Sequence, residues 1–198
     1  MIATKAELKR LAMITTMTQD ELIDQLMPII EDDIRQYCNN GFQDKNVYIA
    51  SNAISFTHNA GSADTINLAS GSEGFIDAQF KAGQTVQVQG AYNNDNFFEV
   101  ETVSSSVMTL YAYANRPYYP VLVTEDEDAF VWIYKVEYPP ALKLVESQML
   151  KYKLSSHDYS VSSETVSRYS VSFNQMTESG YPKAIMSGLN RFRRPVVV

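Results

Sequence analysis

The chain reads as an α+β protein: a small helical bundle body built from both chain ends, interrupted by an inserted antiparallel β sandwich or barrel. Three observations point there. Helical periodicity fills the first 42 residues, residues 43–136 replace it with short runs rich in Val, Ile, Thr, Phe and Tyr between turn residues, and helical signals return at Pro139-Pro140. Each helical end carries a one-sided apolar stripe that cannot close a core alone. The two ends must then pack on each other, which makes the middle an insertion. The expected boundaries are 1–42 with 139–198 for the body, its ribbon and its tail, and 43–138 for the insert.

The elements follow in order. Residues 4–13 place Leu8 and Leu11 on one face of a short helix. Thr18 with Glu21 matches a capping box, Ser/Thr-x-x-Glu. Behind it Ile23, Leu26, Ile30, Ile34 and Tyr37 recur at helical spacing up to Cys38, with Gly41 placed to end the helix and Pro28 inside it. Candidate strands are 46–50, 53–58, 65–68, 84–89, 96–103, 107–111, 121–124 and 129–136. TVQVQ at 85–89 and the run Phe98, Val100, Thr102 alternate cleanly, with Gly90 and Asn93 to Asn96 as the turn between them. After Pro139-Pro140, Leu142, Val145, Met149 and Tyr152 form a stripe. A Ser-rich stretch, 155–172, alternates at its end through Tyr169, Val171 and Phe173 and predicts a loop or ribbon. Gly180-Tyr181-Pro182 opens a last helix with Ile185, Leu189 and Phe192 on one face, ending in Arg191, Arg193 and Arg194 and a β-prone Pro195-Val196-Val197-Val198.

With 198 residues, 45% hydrophobic and 20% charged, the chain has apolar content for a sizeable core without a covalent staple. Cys38 is the single cysteine, so no internal disulfide forms, and a reducing compartment fits. Met1 to Arg10 is charged and lacks an apolar run, so no secretory signal is read there, and no stretch approaches a membrane span. A soluble product of the cytoplasm is the expectation. The net charge of -7 argues against general phosphate binding. Residues 43–138 hold 4 basic and 12 acidic side chains, whereas 139–198 hold 8 basic and 4 acidic. The middle is acidic and the C-terminal part basic.

Catalytic and metal signatures are missing from the sequence. His58 and His157 are isolated, and Cys38 at the end of an amphipathic helix reads as a small buried apolar residue. There is no Gly-rich phosphate loop and no zinc-ligand spacing. Glu125-Asp126-Glu127-Asp128 points in several directions and repels itself, so a solvated turn is the better reading than a calcium loop. Asn93 to Asn96 again reads as a turn. Trp132 with Tyr111, Tyr113, Tyr118 and Tyr119 offers a stacking platform for sugars or bases, against the simpler reading that such strand aromatics face the core. The chain is therefore read as no enzyme, with no cofactor and no metal.

The N-terminal pattern, ELKRLA followed by TQDELIDQLMPIIEDDIRQYCN and Gly41, resembles the head–tail connector (head-completion or adaptor) proteins of tailed bacteriophages. SSETVSRYSVSF at 162–173 and SGYPKAIMSGLNRFRRP at 179–195 are similar to that family's Ser-rich ribbon and closing helix with its basic end. FKAGQTVQVQGAYNNDNFFEVETVSSSVMTLYA at 80–112 is similar to small β domains of phage neck and tail-associated proteins. The insert departs from the compact members.

That resemblance implies a structural protein of the virion, made in the host cytoplasm. It forms a homo-oligomeric ring of about twelve copies with heterologous contacts. The ring binds the portal protein, extends the DNA channel without sequence-specific DNA binding, and receives the next neck or tail protein. No membrane is involved. An acidic β domain suits a channel wall that phosphates must slide past. Val161, Val166, Tyr169, Val171 and Phe173 are the expected subunit interface, because an apolar ribbon without a partner strand recruits another chain. Arg191, Arg193, Arg194, Val196, Val197 and Val198 are the expected portal-docking segment. The alternative is a tail-associated carbohydrate-binding or adhesion protein built on the aromatic β domain.

Overall fold

In a computed structural model, which describes residues 1–69, 74–112, 118–126, 130–155, 163–166, 169–172 and 180–195, the alternating run Thr85–Gln89 lies inside a seven-stranded antiparallel sheet. Its strands are β1 (Gln43–Ser51), β2 (Ile54–Thr57), β3 (Thr65–Leu68), β4 (Thr85–Gln89), β5 (Phe97–Val103), β6 (Val107–Leu110) and β7 (Val131–Val136). Their order is β1-β7-β4-β5-β6-β3-β2. Around it in sequence stand α1 (Lys5–Ala12), α2 (Asp20–Cys38), α3 (Ala141–Leu154), the hairpin strands β8 (Ser163–Val166) and β9 (Tyr169–Ser172), α4 (Lys183–Met186) and a 3-10 helix (Ser187–Phe192).

This overturns the expected fold class. The chain is not a helical bundle body carrying an inserted sandwich or barrel: the described residues hold a single seven-stranded antiparallel sheet, with four α-helices before and after it in sequence. The reason lies in β5. Phe97–Glu99 pair with β4, and Val100–Val103 pair with β6 across a register shift between Val100 and Thr102. One long strand, bent where the extra residue sits, therefore belongs to both halves and makes them one sheet. Strand patterning identifies such a run but not its neighbours.

Backbone contacts divide the chain into two units, Met1 with Gly41–Tyr138, and Ile2–Asn40 with Pro139–Val198. In the β unit, β1 and β2 stand at opposite ends of the strand order, yet only Asn52 and Ala53 join them. That link spans at most roughly 11 Å, so the sheet curls until its edges approach. The inward residues of alternating strands then share one core: Ile49, Ile54, Phe56, Ile66, Val86, Val88, Phe98, Val100, Met108, Leu110, Val131 and Ile133 are all buried. Residues 121–124 form no strand. The residue after them, Glu125, makes an isolated bridge to Phe56 of β2. Side chains replace the ladder there: Asp64 Oδ2 accepts the Leu122 N–H at 3.0 Å, and the Asn94 amide both accepts from Val123 N and donates to Val123 O.

In the helical unit the capping box belongs to α1. Thr4 accepts the Glu7 N–H and Glu7 accepts the Thr4 N–H. The expected box at Thr18 does not form, because α2 starts at Asp20 with Gln19 as its N-cap and no side-chain cap bond. The left-handed residue that ends α2 is Asn39 (φ 46°), two positions before Gly41. Its buried stripe is Ile23, Met27, Ile30, Ile34 and Cys38, so Met27 and Cys38 take the places expected of Leu26 and Tyr37. From α3, Leu142, Val145, Met149 and Leu150 are buried, and Gly188 of the 3-10 helix comes so close that a Cβ there would stand 3.0 Å from Val145 Cγ2. The expected last helix is short: four α-helical residues, then 3-10 geometry, with Met186 and Leu189 buried in place of an Ile185–Leu189–Phe192 face. No helix among the described residues is long and apolar enough to cross a membrane.

Candidate assembly surfaces

The Ser-rich stretch contains the hairpin β8–β9. Its register sets Ser163 against Ser172, Glu164 against Val171, Thr165 against Ser170 and Val166 against Tyr169. Among the described residues these strands form a separate two-stranded sheet, joined to none of the other seven. Among the described residues each strand thus keeps one ladder edge unpaired. An isolated two-stranded ribbon is marginal in water, and its unpaired N–H and C=O groups are a template for another chain. Of the expected interface residues, Val166, Tyr169 and Val171 are in this hairpin, while Val161 and Phe173 lie outside the described residues.

The arginine cluster is built by a return of the chain to the end of α2. Tyr37 Oη donates to Asn190 Oδ1 at 2.9 Å, Asn40 Nδ2 donates to the Phe192 carbonyl at 3.2 Å, and the Arg194 N–H reaches the Cys38 carbonyl at 2.8 Å. The last two satisfy backbone carbonyls that a helix terminus leaves open. Arg193 stacks its guanidinium 4.9 Å from the Tyr37 ring centre, and Arg191 lies 4.7 Å from that of Phe192. Arg191, Arg193 and Arg194 are all exposed, next to the C-terminal end of α2, where the helix dipole favours cations. The segment is therefore anchored through Arg194 and is no free tail from Arg191 onward. Val196, Val197 and Val198 lie outside the described residues.

Cys38 is fully buried beneath this cluster, and burial pushes its thiol up to about 11, against a smaller opposing pull from Arg193. It stays a thiol at neutral pH, unsuited to nucleophilic work. No protein-family model matches the chain, and no curated protein matches it in sequence.

Three polar arrangements escape a reading of the sequence. His58 is not isolated: its Nδ1 lies 2.9 Å from Asp64 Oδ1, beside a cavity of about 370 Å³ lined by the 58–64 turn, Ala112 and Val121. His157 lies outside the described residues. Glu125 is not part of a solvated acidic turn. It is buried and accepts from Tyr92 N, Asn93 N and Asn94 Nδ2 at 2.7, 3.1 and 2.8 Å. Asn94, read as a turn residue, is likewise buried. Asp126 is exposed, and Glu127 and Asp128 lie outside the described residues. Glu146, on α3, is fully buried, and among the described residues neither carboxyl oxygen has a hydrogen-bond partner. Its pKa is raised well above the ordinary carboxyl value by desolvation first and by the nearby Glu31 carboxylate second. Among the described residues no group of three or more His, Cys, Asp or Glu side chains is placed to hold a metal ion.

Of the expected stacking residues, Trp132 is 37% exposed and Tyr118 40% exposed, so neither belongs to the core. Tyr111 and Tyr119 are half-buried, and Tyr113 lies outside the described residues.

Proposed function

We propose that this chain is a head–tail connector protein of a tailed bacteriophage, a structural component of the virion neck. In this reading it forms a ring of about twelve copies below the portal protein. The ring continues the DNA channel and presents a platform to the next neck or tail protein. The observation that supports the reading best is the β8–β9 hairpin, a ribbon whose strands pair only with each other among the described residues. A ring made by heterologous contacts needs a feature on each subunit that is completed by its neighbour, and an open-edged ribbon on a helical unit supplies one. The exposed arginines at the end of α2 supply a second contact, suited to carboxylates on a partner. Residues 43–138, with their balance of -8, suit a part of the assembly that repels DNA phosphates.

The test is assembly. Wild-type chain mixed with the portal of the same phage should give a ring by native mass spectrometry and cryo-electron microscopy. Val171→Asp should remain a folded monomer that no longer joins it. A wild-type chain that stays monomeric with portal at every concentration would overturn the reading.

A further inference from the structure

The outer face of the β unit carries a band of rings that the core does not use. Register places Tyr48 of β1 beside Tyr134 of β7, and Ala50 beside Trp132. On the other flank of β7, Gln89 of β4 stands beside Trp132. The two tyrosine rings stack at 5.8 Å, and Phe130 meets Trp132 edge-on at 4.7 Å. Tyr48 is 49% exposed and Phe130 52% exposed.

Small neighbours keep the indole open. Ala50, its register partner on β1, brings only a methyl group, and at Gly90 (φ +91°) a Cβ would stand 3.4 Å from Trp132 Cε3, so the six-membered ring sits over a backbone without a side chain. The polar handles are unspent as well. Among the described residues no hydrogen bond engages the hydroxyls of Tyr48 and Tyr134, the indole N–H of Trp132 or the amide of Gln89. None of these groups is charged. Lys135, the nearest lysine in sequence, is held by Asp44 at 3.3 Å and Glu137 at 3.2 Å.

We infer that this face, Tyr48, Gln89, Phe130, Trp132 and Tyr134, is a binding site for a neutral saccharide. Exposed large aromatic surface is the informative departure from ordinary protein exteriors. Rings with free phenol, indole and amide hydrogen-bonding groups match a pyranose, which offers an apolar C–H face and a rim of hydroxyls. Charge decides among polymers. The 12 acidic against 4 basic residues of 43–138 repel nucleic acids and acidic polysaccharides and leave a neutral sugar unopposed. The inference stands on the β unit alone and does not rest on ring formation.

Trp132 is the chain's single tryptophan, so its emission reports on this site directly. The full chain is titrated with neutral trisaccharides of glucose, galactose and N-acetylglucosamine, and screened on an immobilised array of neutral polysaccharides. At least one probe should shift the emission saturably. Tyr134→Ala should weaken that probe by about tenfold or more, as loss of a central aromatic anchor does. Tyr48→Phe, which keeps the ring stack and removes one hydroxyl, should weaken it by a smaller factor with an unchanged melting temperature. Three results would each overturn the inference: no response to any neutral sugar at millimolar concentration, equal binding by Tyr134→Ala, or dissociation of a homo-oligomer by Tyr134→Ala without a change in sugar response. The last would make the face a contact between copies.

Discussion

Asp64 holds His58 by a 2.9 Å contact from Oδ1 to Nδ1, and the same carboxylate accepts the Asn59 N–H at 2.9 Å and the Leu122 N–H at 3.0 Å. One side chain, 8% exposed, thereby shapes the β2–β3 turn and ties it to the irregular segment before β7. Asp64→Ala leaves two backbone donors without their acceptor, and the Leu122 contact is buried. The expected loss is about 2–4 kcal/mol, from one to two buried unsatisfied groups. Urea unfolding followed at the Trp132 emission measures it. His58→Ala should cost much less, because the histidine side chain is 42% exposed and such pairs contribute little.

Glu146 makes the helical unit sensitive to alkali. Its pKa in the folded chain is raised by burial and by Glu31, so its contribution to stability is complete below the unfolded carboxyl value. That contribution is lost as pH rises through the raised value. Glu7 acts in the opposite direction. The Lys143 ammonium, 2.7 Å away, is the first cause of a pKa lowered to about 2, so stability at that site is lost as pH falls from near 4.5 toward 2. Glu146→Gln should therefore raise the urea midpoint at pH 8 and leave it nearly unchanged at pH 4, read by helical circular dichroism. An equal gain at both pH values would mean that ionisation is not the cause.

Gly90 combines φ +91° with a virtual Cβ 2.6 Å from the Phe130 carbonyl oxygen. Neither condition tolerates a side chain: the backbone region is unfavourable for L residues, and the obstacle is main chain. Gly90→Ala should destabilise the β unit by about 1–3 kcal/mol. The Phe130 carbonyl must shift to admit the methyl, and Trp132, two residues on, should report that shift as a change of folded-state emission. An unchanged emission spectrum with lowered stability would show strain absorbed elsewhere.

Much of the local structure is legible before any coordinates. The alternation Val86–Val88 and Phe98–Val100 marks inward faces that are indeed buried, and seven of the eight candidate runs form strands. The eighth fails because Val121 to Thr124 has β-prone side chains while its backbone is satisfied by Asp64 and Asn94, residues 29 or more positions distant. The fold class fails for a related reason: periodicity reveals that β5 alternates, not that one bent strand serves β4 and β6 alike. Glu146 leaves no local signal either. It sits one residue from Val145 on an amphipathic helix, where a carboxylate ordinarily faces water. At the candidate surfaces, residue type marked the arginines and the ribbon, whereas the anchoring of 190–194 on Tyr37, Cys38 and Asn40 depends on contacts across some 150 residues.

That anchoring sharpens the portal-docking proposal. Cutting the chain after Asn190 would remove the Phe192 and Arg194 bonds to α2, so a failure to dock could mean misfolding. Charge removal in place avoids this. The combined change Arg191→Gln, Arg193→Gln and Arg194→Gln keeps the Arg194 N–H to Cys38 bond, which is main chain. It forfeits the stacking of Arg193 on Tyr37, worth about 0.5–1 kcal/mol at an exposed site. The melting temperature should fall only slightly. If the arginines meet carboxylates on the portal, wild-type binding weakens as salt rises, because partly exposed ion pairs are screened within about 10 Å at 0.1 M. The triple variant should bind weakly at low salt and show a much flatter salt dependence. Removal of Val196, Val197 and Val198 separates the two halves of the segment: it should lower affinity and leave the salt slope as in wild type. Portal binding by the triple variant with wild-type affinity and slope would assign docking to another surface.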